Sequence, residues 1–141
     1  MIQPPSPVRC SVTVHVSVPE EPPTPLPAEL HYDPADPYAV RLCLGAPSAG
    51  PVEWVFARSL LAEGLCGPAG TGDVLVAPLP RGRPRTVRVV LRSPTGTALI
   101  DIAASAVAAF LRRTDALVPP GTEGLHIDID RALAELTGRL D

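Results

Sequence analysis

The sequence predicts an α+β fold that is rich in β-structure, with two antiparallel sheet halves that are each followed by a helix. From Val8 to Val18, apolar residues alternate with polar ones, which is the period of two expected of a half-buried strand. Ser93-Pro-Thr-Gly96 separates two β-rich segments and has the composition of a tight turn, so it predicts a hairpin. Ala103 to Arg113 is rich in alanine, with apolar residues at helical spacing. A chain of 141 residues is about one domain in size, so residues 1–141 are predicted to be a single domain, with residues 1–7 as a flexible N-terminal extension.

A proline-rich segment follows the first strand. Five of the nine residues from Pro19 to Pro27 are proline, which cannot donate a ladder hydrogen bond, so we expect an extended connector and not a strand. Ala28–Tyr32 and Tyr38–Leu44 are then predicted as two strands. Asp33-Pro-Ala-Asp-Pro37 between them is typical of a turn, because proline fixes φ and aspartate accepts hydrogen bonds from nearby backbone N–H groups. The second of these strands would direct Val40, Leu42 and Leu44 inward.

A further strand and a short helix complete the first half. Val52, Trp54 and Phe56 lie at strand spacing, so the only tryptophan is predicted to anchor the core. The period then changes, and Phe56 to Leu65 is predicted to be a short helix that ends near Gly64. Its apolar side would carry Leu60, Leu61 and Leu65.

The second half repeats this order. Apolar and β-branched residues predict strands at Asp73–Ala77, Thr86–Arg92 and Thr97–Ile102. The Ala-rich helix carries two arginines near its predicted C-terminus, where they complement the helix dipole, and Pro119 and Pro120 prevent its continuation.

A last helix is predicted near the C-terminus. Asp128 or Asp130 can cap its first turn, and its apolar residues recur at helical spacing on one side. These apolar residues are Ile129, Leu133, Leu136 and Leu140.

Composition argues against several classes of protein. The longest uncharged apolar run, Ile102 to Leu111, is about half of the length needed to cross a bilayer. The N-terminus has no basic region followed by an apolar stretch, which argues against a secretory signal and predicts a cytoplasmic location. Cys10, Cys43 and Cys66 are widely separated among apolar residues, so they are interpreted as buried structural thiols and not as disulfide or metal ligands. None of the three histidines lies at metal-ligand spacing, and we expect no metal site.

The motifs of enzymes are missing from the sequence. Ser59, Ser93 and Ser105 have no nucleophile elbow and no nearby histidine. Gly67 to Gly72 is glycine-rich, but it lacks the lysine and hydroxyl residue of a P-loop and precedes a strand instead of a helix. The sequence therefore predicts a protein without catalytic activity or a cofactor.

Two acidic pairs are the remaining candidates for chemistry. Asp33 and Asp36 are interpreted as turn residues, and Asp128 and Asp130 as residues at a helix start. Use of either pair as an acid and base or as a metal site is the less economical alternative.

A basic stretch is the strongest candidate for a binding surface. Five arginines lie within twelve residues: Arg81, Arg83, Arg85, Arg88 and Arg92. We predict that the first four contact a partner, either an acidic protein tail or anionic lipid headgroups. The alternative is single-stranded nucleic acid. Against it stand the net charge of −3 and the absence of aromatic residues from Ala57 to Ala109, which leaves no platform for base stacking.

Four separated blocks of the chain, taken in order, resemble one family. These blocks are Asp33–Val40, Val52–Leu65, Gly70–Val74 and Phe110–Glu123. Together they resemble the SsgA-like proteins, the sporulation and cell-division family of actinobacteria. The resemblance extends over nearly the whole chain from Val8 onward.

The family resemblance implies a fold, an assembly and a role. It implies a whirly-like fold, a homotrimer, and a non-enzymatic adaptor in sporulation-specific cell division. Family members position the division GTPase FtsZ and steer septal peptidoglycan synthesis, so FtsZ, cell-wall proteins and other SsgA-like proteins are the implied partners. The implied location is the cytoplasm with recruitment to the cell septum. Retention of Asp33–Val40 and Val52–Leu65 favours the septum-site paralogue, and the other paralogues remain open.

Overall fold

Seven strands and two helices make up the described elements of the chain. The structure, a computed structural model, describes residues 6–45, 52–80, 85–125 and 136. In chain order the elements are β1 (Val8–Ser17), β2 (Thr24–Tyr32), β3 (Ala39–Leu44), β4 (Val52–Ala57), α1 (Arg58–Gly64), β5 (Val74–Pro78), β6 (Thr86–Ser93), β7 (Gly96–Ala103) and α2 (Ala104–Leu117). Each strand predicted between Val8 and Ile102 is therefore confirmed, as are the two helices that follow the halves.

The seven strands form one antiparallel sheet in the order β4-β3-β2-β1-β7-β6-β5. The first half, β1–β4, has four strands, and the second half, β5–β7, has three. The halves join where β1 pairs with β7 over three residue pairs, from His15 with Asp101 to Ser17 with Leu99. The two predicted halves are thus continuous in a single sheet.

Helix α1 brings the two edges of this sheet together. It continues directly from β4 at one edge, yet it packs against β5 at the other. A flat sheet of seven strands would hold its edge strands about 29 Å apart, whereas a helix of seven residues is about 10 Å long. The sheet must therefore curl. The contact is close, because a Cβ atom on Gly64 would overlap the side chain of Val76.

The core lies between one face of the curled sheet and α2, which packs on β1, β6 and β7. Helix α2 buries Val107, Phe110 and Leu111, the residues predicted from their helical spacing. The largest fully buried side chains of the sheet and α1 are Tyr32, Leu30, Leu42, Leu61, Ile100 and Ile102. We call the other side of the sheet the open face. In β1 it carries Arg9, Ser11, Thr13 and His15, all of them exposed.

The proline-rich connector is shorter than predicted, because β2 begins at Thr24 and includes Pro25 and Pro27. Both prolines pair with β1, at His15 and Thr13. Strand β3 joins β2 only from Ala28, and the carbonyl oxygen of Pro27 points to that side, where it accepts the N–H of Gly45 at 2.9 Å. The missing N–H groups therefore point away from β1, toward the side where pairing with β3 begins only at Ala28, so the prolines remove no hydrogen bond to β1.

Two predicted turns are confirmed by their hydrogen bonds. The side chain of Asp33 accepts the N–H of Ala35 at 2.9 Å, and its carbonyl accepts the N–H of Asp36 at the same distance. The hairpin between β6 and β7 closes with Ser93 opposite Gly96. Local turn chemistry therefore determines both connections.

Three details differ from the predictions. Trp54 is half-buried at the edge of the core, while Phe56 is buried beside it. The end of α1 at Gly64 agrees with the prediction, and the same glycine permits the close contact with Val76. Helix α2 extends to Leu117, which leaves its arginines before the last turn. Cys66 is exposed. The helix predicted from Asp128 or Asp130 lies outside the described residues, apart from Leu136.

Candidate partner-binding surface

Strand β6 carries the described part of the basic stretch. Its alternation buries Val87, Val89 and Leu91 and directs Arg88 to the open face. Arg85 is exposed immediately before the strand, whereas Arg81 and Arg83 lie outside the described residues. These positions leave the predicted partner contact of the four arginines untested.

Arg88 is held in place by Asp101, its neighbour across the sheet on β7. Nε donates to Asp101 Oδ1 at 2.7 Å and Nη2 donates to Oδ2 at 2.9 Å, which is a bidentate ion pair. The hydrogen bond that Arg88 donates to Asp101 raises the pKa of Arg88 above its ordinary value, although partial burial opposes the shift. Among the described residues, no group accepts a hydrogen bond from Nη1. Arg88 therefore presents a fixed positive charge with one nitrogen available.

An apolar hollow of about 470 Å³ lies beside Arg88 on the open face. The segment Pro68–Thr71 lines one side of it, and the rest of its lining is Leu75, Val76 and Ala77 of β5, Leu79, and Arg88 and Val90 of β6. Leu75 lies opposite Val90, which lies opposite Leu99 of β7, so a row of half-buried aliphatic side chains crosses the second half. This surface combines apolar contact with a positive charge at its edge.

The open face of the first half is polar. His31 Nε2 lies 3.1 Å from Glu29 Oε1, and Cys43 Sγ lies 3.9 Å from both His31 Nδ1 and Glu53 Oε2. These four residues line a hollow of about 600 Å³. Burial raises the pKa of the Cys43 thiol, and the carboxylates of Glu53 and Glu29 raise it further. The thiol is therefore kept protonated, which makes it a poor nucleophile.

Arg58 is a structural residue to which the sequence assigned no role. It is 4% exposed, at the first position of α1, and its guanidinium carbon lies 5.0 Å from the centre of the Tyr32 ring. Nη1 donates to the carbonyl oxygen of Val118 at 2.8 Å and to Thr114 Oγ1 at 3.4 Å. Its charge also lies 3.4 Å from Asp115 Oδ1. The sequence feature that could have indicated this role is the position of a positively charged residue at a helix N-terminus, where the helix dipole disfavours it.

The described residues contain no group of histidine, cysteine, aspartate and glutamate that could hold a metal ion. In the same part of the chain, no helix is both long and apolar enough to cross a membrane. Ser93, one of the three serines considered for catalysis, has its Oγ 2.9 Å from Thr95 Oγ1 within the hairpin turn.

Comparison with known proteins assigns the chain to a family. A family model described as Streptomyces sporulation and cell division protein, SsgA, matches residues 26–123. The chain belongs to the SsgA family. It is 48% identical over 129 residues to the sporulation-specific cell division protein SsgB of Streptomyces coelicolor, over 92% of this chain and 94% of that protein. The family predicted from the four sequence blocks is thus confirmed, and this relative supports the paralogue that the sequence favoured.

Two solved structures of SsgA family proteins share the fold. The SsgA-like sporulation-specific cell division protein from Thermobifida fusca YX-ER1 has a TM-score of 0.87 at 40% identity, over 96% of this chain and 98% of that chain. The structure from work on SsgB mutations that correlate to longitudinal cell division during sporulation of Streptomyces coelicolor has a TM-score of 0.80 at 49% identity. It covers 86% of this chain and 95% of that chain. Membership in the SsgA family assigns the protein to sporulation-associated cell division, and the family description names no reaction.

Proposed function

We propose that this SsgA family protein is a non-enzymatic adaptor in sporulation-specific cell division, which localises or regulates FtsZ and septal peptidoglycan synthesis. The observation that carries the proposal is the similarity to SsgB of Streptomyces coelicolor over 92% of the chain. In that organism, mutations in SsgB correlate to longitudinal cell division during sporulation. An error in the direction of division is the defect expected when a protein that places the septum is altered.

The adaptor acts as a homotrimer with a whirly-like arrangement of its sheet, and it is recruited from the cytoplasm to the septum. The continuous antiparallel sheet that curls around α2 supports this arrangement. The exposed side chains of Val52 and Val55 at the β4 edge support assembly, because exposed apolar residues on an edge strand favour pairing with another chain. FtsZ, cell-wall proteins and other SsgA family members are its protein partners.

The arginines near β6 form the contact surface for these partners. Arg81, Arg83 and Arg85 supply charge before the strand, and Arg88 supplies a fixed charge on the open face. Single-stranded nucleic acid is a weaker candidate, because the segment from Ala57 to Ala109 contains no aromatic residue on which bases could stack.

The proposal is tested by deleting the gene from its native strain and imaging septa during sporulation. We expect irregular or missing sporulation septa, with restoration by the wild-type chain fused to a fluorescent protein that localises to septa. Normal septation in the deletion strain would contradict the adaptor role.

A triple replacement of Arg81, Arg83 and Arg85 by alanine tests the contact surface in the same strain. We expect the fusion protein to fold but to lose its septal localisation. Arg41→Ala is the matched control, because Arg41 is exposed on the other half of the sheet, where it pairs with Glu53 at 3.2 Å. Unchanged septal localisation of the triple variant would remove these arginines from the partner surface.

A further inference from the structure

We propose that the C-terminal segment, residues 125–141, of one copy packs on the exposed sheet edge at β4 of a second copy. We call this edge the β4 margin and define it by Tyr38, Val52, Trp54 and Val55. The inference rests on the proposed homotrimer, for which it names the two surfaces in contact. Its support comes from apolar side chains that each chain leaves exposed, from the place where the segment begins, and from its length and charge.

The C-terminal segment carries an apolar stripe that its own chain leaves uncovered. At about 100° per residue of helix, five apolar residues of the segment fall within an arc of about 80°. These residues are Leu125, Ile129, Leu133, Leu136 and Leu140. Residues 123–125 and 136 are helical, and the two members of the stripe that the structure describes, Leu125 and Leu136, are 63% and 57% exposed. An amphipathic helix is stabilised by a partner for its apolar side, so the stripe requires a cover.

The β4 margin is the second exposed apolar surface of the chain. Tyr38, Val52 and Val55 are each half exposed or more, and Trp54 is half-buried on the same face of the strand as Val52. The strand order places β4 at one end of the sheet, where β3 pairs with one of its two sides. An exposed apolar edge strand is a surface on which another chain can pack.

The segment begins beside the β4 margin of its own chain but does not cover it. A Cβ atom on Gly124 would lie 3.6 Å from Tyr38 Oη. Glu123 Oε2 lies 3.5 Å from Nη2 of Arg58, the residue that follows β4. These contacts fix the start of the segment at the end of β4, yet Leu125 and Tyr38 are both exposed there. The exposed stripe and the exposed margin are therefore available to a second copy.

The dimensions of the two surfaces match. A helix of seventeen residues is about 25 Å long, and a strand of six residues such as β4 is about 20 Å long. A helical segment can thus run along the whole margin, with its stripe against the side chains of Val52 and Trp54. Because the contact joins two different surfaces, each copy donates one segment and accepts another. Three such contacts can close into a ring, which is the geometry of a cyclic trimer.

The charge of the segment favours a protein surface over a membrane as the cover of the stripe. Residues 125–141 contain four acidic residues and two arginines. Helices that lie on anionic membranes carry an excess of lysine and arginine on their polar side. An acidic segment lacks this attraction, whereas the β4 margin offers apolar contact without a membrane.

Light scattering after size-exclusion chromatography of the purified full-length chain tests the proposal. We expect the mass of three chains for the wild type, and the mass of one chain for both Leu136→Asp and Val52→Asp, because each places a charge in the apolar contact. Ala134→Asp adds the same charge on the other side of the helix, and Val18→Asp adds it at an exposed valine outside the margin. Both controls should keep the mass of three chains.

Mixing the two monomeric variants distinguishes contact between copies from contact within one chain. The Leu136→Asp chain retains an intact margin, and the Val52→Asp chain retains an intact stripe. We expect an equimolar mixture to form a dimer with one chain of each kind, since one of the two possible contacts is restored. Circular dichroism melts verify folding, and Val55→Asp replaces Val52→Asp if the latter does not fold.

The possible failures have different meanings. A monomeric wild type would reject the homotrimer together with this contact. A trimer that survives both Leu136→Asp and Val52→Asp would reject the contact alone, and so would two folded monomeric variants that do not associate when mixed. Binding of the wild type to phosphatidylglycerol vesicles, lost in a Leu136→Asp variant that remains trimeric, would assign the stripe to a membrane instead. The septation phenotype of the deletion strain tests the adaptor function independently of these results.

Discussion

The two halves of the sheet bury similar side chains but expose different ones. Val40 and Leu42 in the first half have the same role as Val87 and Val89 in the second, and all four are fully buried. On the open face, the first half carries linked polar groups and the second carries a row of aliphatic side chains beside Arg88. The buried face therefore satisfies the common demand for a core, whereas the open face is where the halves can serve different partners.

The strands pair more extensively within each half than between the two halves. Within each half the strands pair over four to nine residues, whereas β1 and β7 pair over three. Helix α2 supports the junction from the core side, and Arg58 ties the end of β4 to the end of α2. The joint between the halves thus depends on a small number of contacts, which substitutions can remove one at a time.

The largest expected effect comes from Arg58→Met. The substitution leaves the carbonyl oxygen of Val118 and the hydroxyl of Thr114 without their donor, and it removes the cation above Tyr32. We expect the free energy of unfolding to fall by about 3 kcal/mol, the low end of the range for breaking a buried pair, because Asp115 is 44% exposed, although Glu123, 3.5 Å from Arg58, is only 15% exposed. Urea unfolding followed by circular dichroism measures the change.

Arg41→Ala is the control for Arg58→Met. Arg41 and Glu53 are both about half exposed, so their ion pair contributes less than about 1 kcal/mol. Equal destabilisation by the two substitutions would show that Arg58 does not stabilise the junction between the two halves.

A smaller effect is expected from Gly64→Ala. The new Cβ would overlap Val76 of β5, so α1 must shift away from the edge strand that it covers. We expect a loss of about 1–3 kcal/mol, the usual cost of overpacking. Thermal unfolding measures it. Gly72→Ala adds the same atom where nothing lies within 4 Å, and it should change stability by less than about 0.5 kcal/mol.

The smallest effect at neutral pH is expected from Tyr32→Phe. Tyr32 is 1% exposed and donates to the carbonyl oxygen of Pro37 at 2.9 Å, so its loss should cost about 1 kcal/mol. Burial raises the pKa of Tyr32 to about 12, although the Arg58 cation acts in the opposite direction.

The alkaline pH dependence sharpens this prediction. Because the folded-state pKa is raised, the neutral phenol stabilises the fold fully below the ordinary tyrosine pKa of about 10, and this stabilisation is lost as the pH rises through 12. The advantage of wild type over Tyr32→Phe in unfolding free energy should therefore shrink above pH 10 and change sign by pH 12, because a pKa shift of about two units outweighs the hydrogen bond of about 1 kcal/mol. A constant difference over this range would contradict the assigned burial of Tyr32.

Sequence patterns predicted most of the strands because a half-buried strand must alternate. Val8 to Val18 shows this period clearly, and turn residues such as Asp33 and Gly96 mark where the strands end. The error at Pro25 and Pro27 has a physical cause. Proline excludes a ladder hydrogen bond on one side of a strand, and only the neighbours in the sheet decide whether that side needs one.

The candidate surface could be predicted in part. Clustered arginines are visible in the sequence, but the pairing of Arg88 with Asp101 requires the register of β6 and β7. The aliphatic row from Leu75 to Leu99 likewise requires strands to be aligned across twenty-four positions of the chain. The sequence shows that such residues alternate, and it does not show which side of the sheet α2 covers.

By itself, the sequence determined the family, the alternation of the strands, the local turns and the helix that follows each half, because these depend on residues close together in the chain. The tertiary structure decided the continuous curled sheet, the buried site of Arg58, and the contact of Gly64 with Val76. It also decided that one half presents a polar open face and the other an apolar hollow. These features depend on contacts between distant residues, whose geometry is set only when all the elements pack against one core.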